Sequence, residues 1–182
     1  MSSVRSPWSP RLPLDAAARP YRNWLTERRS LTARWQRASG AFRVEPVRQC
    51  LAAPLADERE RLALPPRRPA WIREVVLYCG GTPVAFAHTA ASASPRGPVA
   101  HWLRRLGRRS LGSLLFSQPG FVRLGVDYAA IDHRHPLHAA LCRHVPGAGR
   151  GQGHYWARRT LFAHGRQRVV LTEVFLPAVL HF

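Results

Sequence analysis

Lysine is absent from this 182-residue chain and acidic residues are few: 28 Lys+Arg positions, all of them arginine, stand against 10 Asp+Glu, for a formal net charge of +18. An all-arginine basic set points to a genome-wide composition bias rather than to selection for phosphate contacts, which lysine serves as well. The pairs Arg28/Arg29, Arg67/Arg68, Arg104/Arg105, Arg108/Arg109 and Arg158/Arg159 are scattered along the chain. A nucleic-acid reader would gather them on one helix or arm, so no nucleic-acid partner is expected. Such a field does favour small anionic substrates. Cysteine is also sparse: Cys50, Cys79 and Cys142 are far apart, with no C-x-x-C pair. That excludes a disulfide framework or a cysteine zinc site and fits reduced thiols in a cytoplasmic protein.

Long apolar runs are missing too, and the N-terminus is rich in Ser, Pro and Arg. Neither membrane insertion nor a signal peptide is expected. The glycine run G-A-G-R-G-Q-G does not sit between a strand and a helix, so it is no phosphate loop. Ser110, Ser113 and Ser117 lack the G-x-S-x-G frame of a serine nucleophile. His133, His135, His138, His144 and His154 cluster without any H-E-x-x-H or Cys/His pattern, and are expected to form a polar surface loop with no metal.

What is present is enough for one sizeable core. A chain of this length buries roughly 70% of the surface of its unfolded form, and 46% of its residues are hydrophobic. Residues 1–20 are expected to be an irregular N-terminal arm, with a single domain over 21–182. Trp24, Leu31, Trp35 and Ala38 recur at helical spacing, which predicts a helix from Tyr21 to Ala38 ended by Gly40. Ala41–Gln49 alternates like a strand, with Pro46 marking an edge or bulge. A short helix is expected between Cys50 and Pro69. Trp71–Cys79 and Pro83–Ala91 flank Gly80 and Gly81 as a hairpin. After the loop S-P-R-G-P, short helices are expected over Val99–Leu106 and Ser110–Phe116. A strand over Phe121–Ile131, a helix near Pro136–Arg143 and a second hairpin across His164 and Gly165 complete the chain. The fold class is therefore α+β: a mainly antiparallel sheet of about six strands with helices packed on it, the helix pair over 99–116 either packing plainly on the sheet or forming a lid.

Two charges in this pattern are out of place. In R-V-V-L-T-E-V-F-L-P (Arg168–Pro177), alternation puts Glu173 on one face with Val169, Leu171 and Phe175. In W-I-R-E-V-V-L-Y-C (Trp71–Cys79), Arg73 shares a face with Trp71, Val75, Leu77 and Cys79. A carboxylate buried alone is too costly to keep charged. Either the two form an ion pair inside one sheet, or both point into a closed pocket for a small polar anion.

Five segments resemble the chorismate pyruvate-lyase family: W-L-T-E-R-R-S-L-T-A-R (Trp24–Arg34), W-I-R-E-V (Trp71–Val75), L-G-R-R-S-L-G-S-L-L-F (Leu106–Phe116), Y-W-A-R-R-T (Tyr155–Thr160) and L-T-E-V-F-L-P (Leu171–Pro177). The resemblance implies a cofactor-free, monomeric carbon–oxygen lyase that takes chorismate to 4-hydroxybenzoate and pyruvate for ubiquinone synthesis. It also implies helical flaps packed on the sheet and closing over a buried site, with substrate binding by Arg73, Glu173, Leu111 and Leu31. On this reading Arg73 forks the ring carboxylate, Glu173 contacts the 4-hydroxyl end and serves as general base, and the leucines line apolar walls. Arg158 or Arg159 would hold the enolpyruvyl carboxylate. His88 stands where a family member has Arg, so one anion contact is expected either to be weaker or to titrate near neutrality. A non-catalytic effector-binding module of the same fold is the alternative, although no DNA-binding helix-turn-helix segment precedes the domain.

Overall fold

The computed structural model describes residues 6–92 and 97–182. Six strands make one sheet: β1 (Phe42–Ala52), β2 (Ala70–Cys79), β3 (Thr82–Ser92), β4 (Phe121–Asp132), β5 (His154–His164) and β6 (Gln167–Phe175). Their order is β1-β2-β3-β6-β5-β4 and every pairing is antiparallel. The α+β expectation holds. Both expected hairpins form. Gly80 and Gly81 have φ of 53° and 84°, the doubly left-handed turn that matches strand twist in a two-residue connection. Pro46 sits at a register shift of the edge strand β1, where its missing N–H interrupts no inner ladder.

Helices cover both faces. On one side lie α1 (Arg22–Leu25), α2 (Leu31–Ala38), α4 (Pro98–Arg105) and α5 (Leu111–Ser117); α3 (Ala56–Arg59) and α6 (Pro136–His144) lie on the other. The first face holds the larger core, including Trp24, Trp35, Leu103 and Leu115 packed on Val75, Leu77, Leu171 and Phe175. Trp35 stacks between Trp24 and Phe42, with centroids 5.7 and 6.0 Å away. The second face buries Phe86, Ile131, Leu137 and Leu141.

The continuous helix expected over Tyr21–Ala38 is instead a 3-10 helix (Ala16–Tyr21), α1 and α2, with a loop at 26–30. Ser30 restarts the helix as its N-cap, accepting from the Ala33 N–H. The carbonyls of Glu27 and Arg28 accept hydrogen bonds from Arg158 of β5 and Arg123 of β4, which hold the loop against the sheet. Ala38, placed on the buried stripe by its spacing, ends α2 exposed. Ahead of α1, Ser9 bridges Tyr128 of β4 and Asp15 caps the 3-10 helix. The expected loop at 94–98 falls mostly outside the described residues.

Candidate active site

Arg73 and Glu173 project from the same face of the sheet, on strands separated by β3. Arg73 is paired with Thr89, and Glu173 with Ala87. Two strand spacings and two residues along the strands place their Cα atoms about 12 Å apart. Between them β3 presents small side chains, Ala85, Ala87, Thr89 and Ala91, while its other face carries Phe86 and His88. This floor of alanine and threonine leaves open the space between the charges. It is visible in A-F-A-H-T-A-A once the strand's phase is known.

The two charges do not pair with each other. Arg73 is 2% exposed. It donates from Nη1 to Gln49 Oε1 (3.1 Å), and from Nη2 to the carbonyls of Gly107 (2.9 Å) and Arg109 (3.2 Å). Burial pulls its pKa down to about 10, which leaves it cationic at neutral pH. Glu173 is 5% exposed, and its Oε2 accepts from Arg158 Nε at 2.6 Å. So Glu173 has the basic partner that its burial requires, one strand over on β5. No other hydrogen bond from a protein donor reaches the Glu173 carboxylate among the described residues, and the residue borders the cavity.

Two flaps roof this space. Loop 26–30 with α2 supplies Leu31 and Thr32; the turn at 106–110 with α5 supplies Ser110, Leu111 and Gly112. Leu31 and Leu111 are the first residues of their helices and are 2% and 6% exposed. The flaps meet where the hydroxyls of Thr32 and Ser110 hydrogen-bond. Beneath them, bordered by Arg73, Glu173, Thr89, Leu111 and Leu171, lies a cavity of about 20 Å³, room for about one water molecule. Outside the Thr32–Ser110 contact opens a cleft of about 410 Å³ that carries Arg43, Arg108 and Arg109. All four expected site residues are thus drawn together, with Arg73, Glu173 and Leu111 on the cavity wall and Leu31 at the head of the helix that closes it.

Arg159 and His88 are not part of it. The residue after Arg158 necessarily faces the other way: Arg159 pairs with Asp57 (2.9 Å) and Asp127 (3.1 Å), and lies over the Trp8 ring. His88 likewise points away from the cavity, with Nδ1 3.0 Å from Glu74 and Nε2 3.3 Å from Glu58. The expected anion contact is therefore a buried histidine between two carboxylates. Burial alone would lower its pKa, but Glu58 and Glu74 outweigh that and raise it to about 9. Nor are all the clustered histidines surface groups: His135 caps α6 and faces Asp57, and His144 stacks on Phe86. Among the described residues no group of three or more His, Cys, Asp or Glu is arranged to hold a metal. Thr32, Ser110 and Thr89 were missed by sequence reasoning; the signal for the first two is that each lies within a flap segment quoted above.

The fold is shared with bacterial regulators. The effector domain of PhnF from Mycobacterium smegmatis aligns with a TM-score of 0.53 at 16% identity, over 82% of this chain and 89% of that one. A GntR-family regulator from Bacillus cereus gives 0.52 at 12%, over 75% and 92%. Sequence similarity is closer to enzymes. A probable chorismate pyruvate-lyase of Dechloromonas aromatica is 48% identical over 175 residues, 96% of this chain and 97% of that protein. One from Ralstonia nicotianae is 42% identical, over 100% and 94%. The family model for chorismate lyase matches residues 3–181, and the chain belongs to the chorismate lyase family.

Proposed function

We propose that this chain is a chorismate pyruvate-lyase, converting chorismate to 4-hydroxybenzoate and pyruvate as the entry to ubiquinone synthesis. The observation that carries the reading is the convergence of Arg73 and Glu173 on one small, alanine-floored cavity beneath two flaps. In the reaction the C4–H bond breaks and its electron pair becomes ring π density. The C3–O bond breaks with it, and the departing enolpyruvate takes up a proton as pyruvate. Aromatisation supplies much of the driving force, so the protein has mainly to orient and dehydrate the substrate.

Each group has a task in that scheme. Arg73 receives the ring carboxylate, and Glu173 lies toward the 4-hydroxyl and accepts the C4 proton. Leu31 and Leu111 exclude water. Of the two arginines weighed for the pyruvyl end, Arg159 faces away from the site, and Arg158 shares the site's face but is engaged by Glu173 and the Glu27 carbonyl. A cavity of about 20 Å³ does not admit the substrate unless the flaps part, so entry runs through the Arg-lined cleft. The three free cysteines support a reducing, cytoplasmic setting. The strong positive charge opposes self-association and supports a monomer, with residues 1–20 an arm on the 21–182 domain.

The test is incubation of purified protein with chorismate, with 4-hydroxybenzoate and pyruvate quantified. They should appear one to one. Tight binding of 4-hydroxybenzoate with no turnover would identify instead an effector-binding module on the same fold.

A further inference from the structure

We propose that Arg158 is a positioning residue that makes the placement of the Glu173 carboxylate depend on closure of the first flap. This deepens the lyase reading and rests on it. Arg158 is buried on β5 directly opposite Glu173. Among the described residues its guanidinium has two hydrogen-bond partners: Nε donates to Glu173 Oε2 at 2.6 Å, and Nη1 donates to the carbonyl oxygen of Glu27 at 2.5 Å. Glu27 lies in loop 26–30, three residues before the Ser30 N-cap that starts α2. One rigid planar group therefore joins the proposed base to the backbone of the segment that closes over it.

The geometry suits arginine alone. Nε–H and the Nη1 hydrogens point from different parts of the fork, so the bond to the carboxylate fixes where the other donor points. A lysine ammonium keeps the charge, but its three donors radiate from one atom on a flexible stem. With the flap closed, both ends of the guanidinium are held, and Glu173 is fixed at the cavity wall. When loop 26–30 lifts, Nη1 loses its acceptor and the fork that orients Glu173 is free to rotate. Arg123, from β4, donates to the next carbonyl, that of Arg28, at 3.1 Å; it feels the charge of Glu173, but among the described residues it makes no hydrogen bond to it. It steadies the loop, whereas Arg158 connects the loop to the chemistry.

Arg158→Lys separates charge from bridging. The expected result is a kcat about 100-fold lower, the scale of a misplaced catalytic group, with KM changed less than about threefold. Amide hydrogen exchange over residues 26–32 should quicken, although none of those residues is altered. Because coupling is reciprocal, Glu173→Ala, which removes the acceptor of the Arg158 Nε–H, should quicken exchange over 26–32 as well, and it carries the same test if the lysine variant does not fold. Arg158→Lys with wild-type kcat would overturn the proposal. So would a loss of kcat with unchanged exchange over 26–32, or a rise in KM alone, which would make Arg158 a plain substrate contact. Wild-type protein inactive on chorismate would count against the lyase reading, while the exchange result still decides whether the bridge exists.

Discussion

Replacing His88 with leucine should destabilise the protein by an amount that shrinks as pH rises. His88, Glu58 and Glu74 are respectively 3%, 1% and 2% exposed, on the face of the sheet opposite the cavity. His88 belongs to β3, directly beneath the floor that Ala87 and Thr89 give the site, and Glu58 belongs to α3. Its surroundings are charged on several sides. Arg48 Nη1 lies 3.5 Å from Glu74 Oε1, and His144 Nε2 lies 4.0 Å from Glu74 Oε2. The folded-state pKa of about 9 exceeds the ordinary 6.5, so the stabilisation is fully present below about pH 6.5 and is lost as pH rises through 9. The gap between 6.5 and about 9 corresponds to about 3 kcal/mol. Leucine leaves two buried carboxylates without the cation between them, a loss of about 3–5 kcal/mol at neutral pH. The assay is urea denaturation of both proteins at steps from pH 6 to pH 10. Wild-type stability should fall by about 3 kcal/mol across that range, and the gap to His88→Leu should narrow with it. A gap of under about 1 kcal/mol at pH 6.5, or one that does not change with pH, would refute the reasoning.

Glu173→Gln should lose turnover while its thermal transition remains cooperative, because the amide keeps the shape and an acceptor oxygen for Arg158 but cannot take a proton; calorimetry beside a chorismate assay checks both. Arg73→Lys should raise KM for chorismate by about tenfold or more, since one ammonium cannot fork a carboxylate while holding Gln49, Gly107 and Arg109; steady-state kinetics reads it. Leu111→Ala should cost about 2–5 kcal/mol as a buried large-to-small change, measured by denaturant midpoint. Glu74 and Asp57 are both held below the ordinary carboxylate range: burial raises each, but the hydrogen-bonded His88 beside Glu74, and His135 and Arg159 beside Asp57, outweigh it. Their contribution is present above the ordinary carboxylate pKa and lost as pH falls, so unfolding monitored by fluorescence should set in on acidification.

The two misplaced charges were legible because strand alternation is a local rule. Knowing only that β2 and β6 are strands puts Arg73 and Glu173 among apolar neighbours. Their partners were not legible. Glu173 is satisfied by Arg158 rather than by Arg73, and that follows from β5 and β6 lying side by side in register, with β3 between β6 and β2. Arg158 and Arg159 are both buried and Tyr155–Thr160 is buried on both faces, so composition could not tell which arginine shares the site. The helix break at 26–30 was hidden for a similar reason. Trp24, Leu31 and Trp35 do share one core, but the loop between them is held to the sheet by arginines about a hundred or more residues away. His88 was misread because its role depends on Glu58, which a separate helix brings across the sheet.

The central claim is that Arg73 and Glu173 hold opposite ends of one aromatic acid inside the closed chamber. A crystal structure of the protein with 4-hydroxybenzoate tests it most directly. The carboxylate should lie on the Arg73 guanidinium, with the phenolic oxygen within about 3 Å of Glu173 and Leu111 against the ring. A ligand found outside the flaps with the inner cavity unchanged, or one bound inside without touching either charge, would contradict it.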